Sequence, residues 1–162
     1  MVSFEKVDKD SLTELAAMAD EVWHEFFPRI ITMGQIDYMV EKFQSRGAME
    51  KQIDDGYSYY FIMDDGRKVG YTGIQPKDGK LFLSKLYIMK PYRKKGYAGK
   101  AFVFLADFCR ENGLKSIWLT VNRHNDDAVG VYKKKGFTVI REQKADIGNG
   151  YVMDDYVMEL KV

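Results

Sequence analysis

Three runs rich in aromatic and β-branched residues, 57–63, 68–75 and 80–89, follow one another, separated by the turn signals Asp64-Asp65-Gly66 and Pro76-Lys77-Asp78-Gly79. Asp-Gly pairs between such runs carry the chemistry of hairpin turns, whose central residues take up left-handed backbone. The spacing therefore predicts a three-strand antiparallel meander, and a meander needs helices or another sheet to cover its apolar face. The preceding stretch supplies helices. Ser11-Leu-Thr-Glu14 has the pattern of a capping box and opens a helix that Pro28 stops near Phe27. Ile36, Met39, Val40 and Phe43 predict a second helix over 35–44, a short helical turn follows at 48–53, and a short strand over 2–7 precedes them all.

Behind the meander the period is helical again. Ala98, Ala101, Phe102, Leu105, Phe108 and Cys109 keep one face to about Glu111, where Asn112-Gly113 ends the helix. The apolar run 116–121 is reached through that helix, so it is predicted to lie parallel to the 80–89 strand in a right-handed crossover. A helix over 126–135 and a closing pair of strands at 137–143 and 155–161 complete the chain, with Ile147-Gly-Asn-Gly150 providing turn residues in a long connection. The expected class is α/β (α+β): a mixed, mostly antiparallel sheet of six to seven strands with one parallel pair, flanked by helices.

A chain of 162 residues, 46% hydrophobic and 14% aromatic, is expected to form one domain over 1–162 with a sizeable core. Its 25 basic and 24 acidic side chains nearly cancel, which gives no sign of a nucleic-acid or membrane partner in the balance as a whole. The N-terminal stretch has no apolar signal region and no run is long enough to span a bilayer, so a cytoplasmic location is expected. Cys109 is the only cysteine and falls on an apolar stripe, where it reads as core. His24 and His124 lack partners at metal-ligand spacing, and no metal is expected.

Local charge is more informative. Lys-Lys-Gly occurs at 94–96 and again at 134–136. The second copy ends a helix, where cations suit the dipole and Gly136 is placed for a left-handed cap. The first copy, in Pro91-Tyr-Arg-Lys-Lys-Gly96-Tyr-Ala-Gly-Lys100, precedes its helix, so its cations oppose the dipole unless an anion sits there. Gly96, Ala98 and Gly99 leave little bulk to keep a phosphate from the amides. A solvated basic turn is the bland alternative. A nucleic-acid surface built from Lys85, Lys90, Arg93, Lys94, Lys95 and Lys100 with Tyr87, Tyr92 and Tyr97 is not accompanied by any recognised motif, and none is expected. The stretch also lacks the spacing of a nucleoside-triphosphate loop or of a dinucleotide fingerprint.

Arg93-Lys-Lys-Gly96-Tyr-Ala98 resembles the Gln/Arg-x-x-Gly-x-Gly/Ala signature of the GNAT superfamily of acetyl-CoA-dependent N-acetyltransferases, and Leu86-Tyr87-Ile88 with Pro91 resembles the strand end that introduces it. Asn125, Ala128, Tyr132 and Gly136-Phe137 resemble a second signature downstream, so the likeness covers residues 80–140. The tail over 145–158 is similar to that of many bacterial members, some of which acetylate polyamines.

The resemblance implies a splayed parallel strand pair. It implies that the Arg93, Lys94 and Lys95 region and the amides of Lys95, Gly96, Ala98, Gly99 and Lys100 bind the coenzyme A diphosphate, with Tyr97 and Asn125 also near the cofactor. Backbone of Leu86, Tyr87 and Ile88 would face the pantetheine arm. Transfer by direct attack in a ternary complex, on a polyamine, another small amine or a peptide amine, is the implied activity. Monomer and homodimer stay open, and a non-catalytic coenzyme A sensor or interaction module is the alternative.

Direct attack needs a neutral amine. At pKa ~10.4 only about one molecule in 2500 is neutral at pH 7. The family's usual glutamate position aligns with Ser84, a poor base, which leaves a water relay through Ser84 or a carboxylate from elsewhere, with Glu25 and Asp155 as candidates for substrate binding. Tyr132 occupies the place of the family's general acid, and a core tyrosine is the alternative reading. Of the Asp-Asp pairs, only Asp154-Asp155 is placed to attract a cation.

Overall fold

Hairpin chemistry shapes the middle of the chain as its turns predict. A computed structural model describes residues 1–162. In it Ser58–Asp64 (β2), Arg67–Lys77 (β3) and Lys80–Ile88 (β4) are joined by two-residue turns whose central residues, Asp65-Gly66 and Asp78-Gly79, all have positive φ. Val2–Lys6 (β1) pairs antiparallel with β2, from Val2 opposite Asp64 to Lys6 opposite Tyr60. The helices are Leu12–Phe26 (α1), Met33–Met39 (α2, continued by a wider π-type turn over Val40–Gln44), Arg46–Asp54 (α3), Tyr97–Asn112 (α4) and Asp126–Lys134 (α5). Ser116–Asn122 (β5), Thr138–Gly148 (β6) and Tyr151–Lys161 (β7) complete a seven-stranded sheet in the order β1-β2-β3-β4-β5-β7-β6. The one parallel pairing, β4 with β5, is confined to Leu81 opposite Ile117 and Phe82 opposite Trp118.

Three expectations are corrected. The capping box at Ser11 does not form: Ser11 makes no side-chain cap, and Asp8 instead accepts from the Ser11 amide at 3.0 Å to open a short 3-10 turn. The short turn at 48–53 is a longer helix, α3, because the Ser45 hydroxyl caps it at the Ala48 amide. The long connection before the last strand does not exist. β6 and β7 run on to Gly148 opposite Tyr151, and Asn149-Gly150, both at positive φ, make a tight hairpin.

The chain packs as two compact units, Met1–Gln75 with Ser84–Leu105 and Pro76–Leu83 with Ala106–Val162. In the first, one core joins Leu12, Leu15 and Ala19 of α1 and Met49 of α3 to Tyr59, Phe61 and Tyr71. Another joins Ala101 of α4 to Ile62 and Val69, with Leu86 and Ile88 packed against it. Neighbouring residues of β2, Phe61 and Ile62, thus serve different cores, as the alternation of a strand requires.

In the second unit β7 pairs antiparallel with both β5 and β6. Ile117, Leu119, Val121 and Met158 are buried there, and Phe82 stacks on Trp118 at 4.3 Å between centroids. Both α4 and α5 end in the same way. Leu114 N–H donates to Cys109 O at 2.9 Å and Phe137 N–H to Tyr132 O at 3.0 Å, each bond spanning a left-handed glycine, Gly113 or Gly136. Gly136 is the cap that the second Lys-Lys-Gly predicts. No helix is long and apolar enough to cross a membrane.

Candidate active site

The first unit carries the loop and strand end. A single 3-10 turn, Lys90–Tyr92, turns the chain out of β4, and Lys94 and Gly96 then take left-handed backbone at φ 62 and 86. Left-handed residues in a turn of this kind can aim neighbouring amides to one side, the arrangement of an anion-binding concavity. α4 starts at Tyr97 with no acidic residue in its first turn. Lys100 N–H donates to Gly96 O at 3.1 Å, so that amide is spent inside the helix, and Tyr97, Ala98 and Gly99 are the residues whose amides precede the first helical bond. A Cβ added at Gly96 would meet nothing within 4 Å, so the approach to these amides is open.

Two side chains expected at the cofactor, Tyr97 and Arg93, are engaged within the protein, and so is Glu25, a candidate for substrate binding. The Tyr97 hydroxyl donates to Asp64 Oδ2 at 2.5 Å, tying the start of α4 to β2 and holding the phenol's pKa up. Arg93 turns on to Ile88 O at 2.9 Å through Nε and on to Glu25 Oε1 at 2.6 Å through Nη2. Glu25 also lies 3.6 Å from Arg29. It is therefore a paired carboxylate and not one held ready for a substrate amine. The Ile88 carbonyl is likewise used.

Two features of β4 escaped sequence reasoning. Gly70 of β3 approaches so closely that a Cβ there would lie 2.3 Å from Tyr87 O and 3.1 Å from the Ile88 Cα. It sits where the β2–β3 register shifts, between Ile62 opposite Gly70 and Met63 opposite Lys68. Lys85, counted from the sequence among surface cations, is only 4% exposed. Its Nζ donates to Gln52 Oε1 at 2.9 Å and to the Tyr59 hydroxyl, and no carboxylate pairs with it, so burial lowers its pKa to about 7. The signal was available: Leu81, Leu83, Lys85 and Tyr87 alternate with the rest of the strand. Ser84, beside it, is partly exposed.

The second unit carries the candidate groups for proton handling. Asn125 is buried and caps α5 by accepting from the Ala128 amide at 3.3 Å. Tyr132 lies in the last turn of α5, with its ring 5.6 Å from that of Phe137. The side chain as a whole is partly exposed, but burial of its phenolic end pushes the pKa up to about 12.

On β7, Asp154 is neutralised by Arg123, whose Nε lies 2.7 Å away and whose Nη1 also reaches Glu142 at 3.2 Å. Asp155, opposite Asn122 in register, is different. It is 3% exposed, its carboxylate makes no hydrogen bond or ion pair, and burial with the neighbouring Asp154 charge raises its pKa to about 6 against the opposing pull of Arg123. No group of three His, Cys, Asp or Glu side chains is arranged to hold a metal.

Residues 15–137 match the acetyltransferase (GNAT) family. An uncharacterised N-acetyltransferase of Lactobacillus delbrueckii subsp. lactis is 24% identical over 157 residues, 91% of each chain. Another, from Mycobacterium tuberculosis, is 29% identical over 147 residues, 90% of this chain and 94% of its own. In fold the chain resembles the PaiA N-acetyltransferase of Thermoplasma acidophilum, solved in complex with coenzyme A, at a TM-score of 0.81 with 20% identity over 100% of this chain and 99% of the other. The chain belongs to the acetyltransferase (GNAT) family, and it is an acetyl-transferring enzyme.

Proposed function

We propose that the protein transfers the acetyl group of acetyl-CoA to a primary amine by direct attack in a ternary complex. The observation that carries this reading is the loop. Positive side chains, left-handed Lys94 and Gly96, and the open first turn of α4 converge where an unpaired positive helix end needs an anion. The diphosphate is read by the amides of Lys95, Gly96, Tyr97, Ala98 and Gly99 with the ammonium groups of Lys94 and Lys95. Leu86 and the Ile88 N–H face the pantetheine arm. The thioester supplies an activated acyl group, and the protein's own residues manage the protons.

An acceptor amine arrives as an ammonium ion. Asp155, without a partner and ionised above about pH 6, offers it both a counter-charge and a proton acceptor. Glu25 does not serve this role, since its carboxylate is held by Arg93 and Arg29. A water relay through Ser84 is the alternative path for the proton. Tyr132 stays protonated at every working pH and donates to the developing thiolate. With a pKa of about 12 it is a weaker acid than an ordinary thiol, so its contribution is a hydrogen bond that strengthens as charge develops. Asn125 caps the other end of the same helix.

Thiol release with acetyl-CoA and a panel of polyamines, monoamines and peptide amines tests the reading. Amine-dependent release supports it. Binding of coenzyme A without release by any amine would favour the non-catalytic sensor, to which the serine at position 84 gives some support.

A further inference from the structure

Arg93 opens the signature loop, where a cation is expected to meet phosphate. Its side chain instead reaches back to α1 and the end of β4. Nε donates to Ile88 O at 2.9 Å, Nη2 lies 2.6 Å from Glu25 Oε1, and the guanidinium carbon sits 5.3 Å from the centre of the Phe26 ring. Glu25 and Phe26 form the end of α1, and Ile88 is the last residue of β4. The anchor is itself secured, since Arg29 approaches the other Glu25 oxygen at 3.6 Å and covers Phe26 at 4.5 Å. Both side chains of the Arg93–Glu25 pair are about three-quarters buried.

The peptide group between Ile88 and Met89 is therefore held at both polar atoms. Arg93 takes its carbonyl, and its N–H, that of Met89, donates to Val69 O at 2.9 Å. Drawing Arg93 out to a diphosphate would leave the Ile88 carbonyl and a largely buried carboxylate without their partner, two losses against one gain. The adjacent Lys94 and Lys95 carry charge with no such commitments, and the helix amides add directional donors.

We propose that Arg93 is a positioning residue: anchored by Glu25, it fixes the end of β4 for the acyl donor and leaves recognition of the anion to Lys94, Lys95 and the amides at the start of α4. This rests on the reading that β4 faces the pantetheine arm. The planar fork of arginine serves two partners in different directions, which a lysine ammonium at the same position does not reproduce.

The test uses Arg93→Lys, Glu25→Gln and the double variant, with two readouts. In the protein without ligand, amide hydrogen exchange at Met89 is expected to speed up at least tenfold in each single variant. With acetyl-CoA and with S-acetylpantetheine, which lacks the diphosphate, kcat is expected to fall by similar factors for both donors, and the double variant to be no worse than the poorer single. Met89 exchange within twofold of wild type in both single variants would overturn the proposal. So would a defect confined to the KM for acetyl-CoA with Glu25→Gln harmless, which is the pattern of a phosphate ligand. Glu25→Gln is nearly isosteric and carries the test alone if Arg93→Lys unfolds. Absence of thiol release by the wild type would refute acetyl transfer, while the exchange measurement would still decide the role of Arg93.

Discussion

The hydroxyl of Tyr132 and the missing Cβ of Gly70 show how much depends on one atom. Tyr132→Phe keeps the ring against Phe137 and removes the hydroxyl, the proposed donor to the leaving sulfur. Single-turnover rates at saturating acetyl-CoA are expected to fall roughly 10²-fold or more, with the melting temperature little changed. A hydroxyl with a merely structural role would give the reverse, a loss of about 1 kcal/mol of stability with chemistry intact. Gly70→Ala places a methyl 2.3 Å from the Tyr87 carbonyl oxygen, a backbone atom that cannot swing aside as a side-chain end could. Urea unfolding is expected to show a loss of about 3 kcal/mol, and the variant's KM for acetyl-CoA is expected to rise because the displaced atoms are those of Tyr87 and Ile88. Unaltered stability would mean that β3 and β4 can separate freely at this point.

At the scale of elements, the two Lys-Lys-Gly copies differ only in which side the helix lies. Gly96→Val puts a β-branched side chain at φ 86, a backbone conformation strained for such a residue, in the loop that leads into α4, and coenzyme A affinity is expected to drop at least tenfold in calorimetry. Lys134→Ala, at the end of α5, is expected to leave that affinity unchanged. The polarity of these helices was legible because glycine and cation placement report it directly. So was the meander, through its Asp-Gly turns. The β6–β7 hairpin was not, although Asn149-Gly150 is a strong turn signal, because β6 is exposed along most of its length and lacks the apolar alternation that marks a strand. At the candidate site, the motifs single out the loop and Tyr132 as the proposed groups, whereas the inward turn of Arg93 depends on Glu25, far away in sequence. Lys85 was misjudged because residue type outweighed strand alternation.

For the molecule as a whole, Lys85 and Asp155 make stability depend on pH in opposite senses. Asp155 rises from 3.8 to about 6 on folding, so the folded chain holds the extra proton: stability is full below pH 3.8 and is lost as pH rises through about 6. Lys85 falls from 10.5 to about 7, so the unfolded chain holds the extra proton and stability is regained as pH rises from about 7 to 10.5. Together these two groups set a minimum in stability between about pH 6 and 7. Asp155→Asn and Lys85→Met are each expected to raise the denaturation midpoint at pH 7, and only Asp155→Asn to abolish amine acetylation. Chemical denaturation from pH 4 to 10 checks both; a Lys85→Met profile parallel to wild type above pH 7 would show that the amine is not the source of the alkaline gain.

The pairing of β5 with β7 also bears on how the protein is made. Ser116 finds its partner in Lys161, so β5 emerges from the ribosome well before the strand that covers its edge. Until then a run containing Ile117, Trp118, Leu119 and Val121 has an unpaired border during synthesis. That interval, and not the finished fold, is where the chain is most exposed to aggregation and to capture by chaperones.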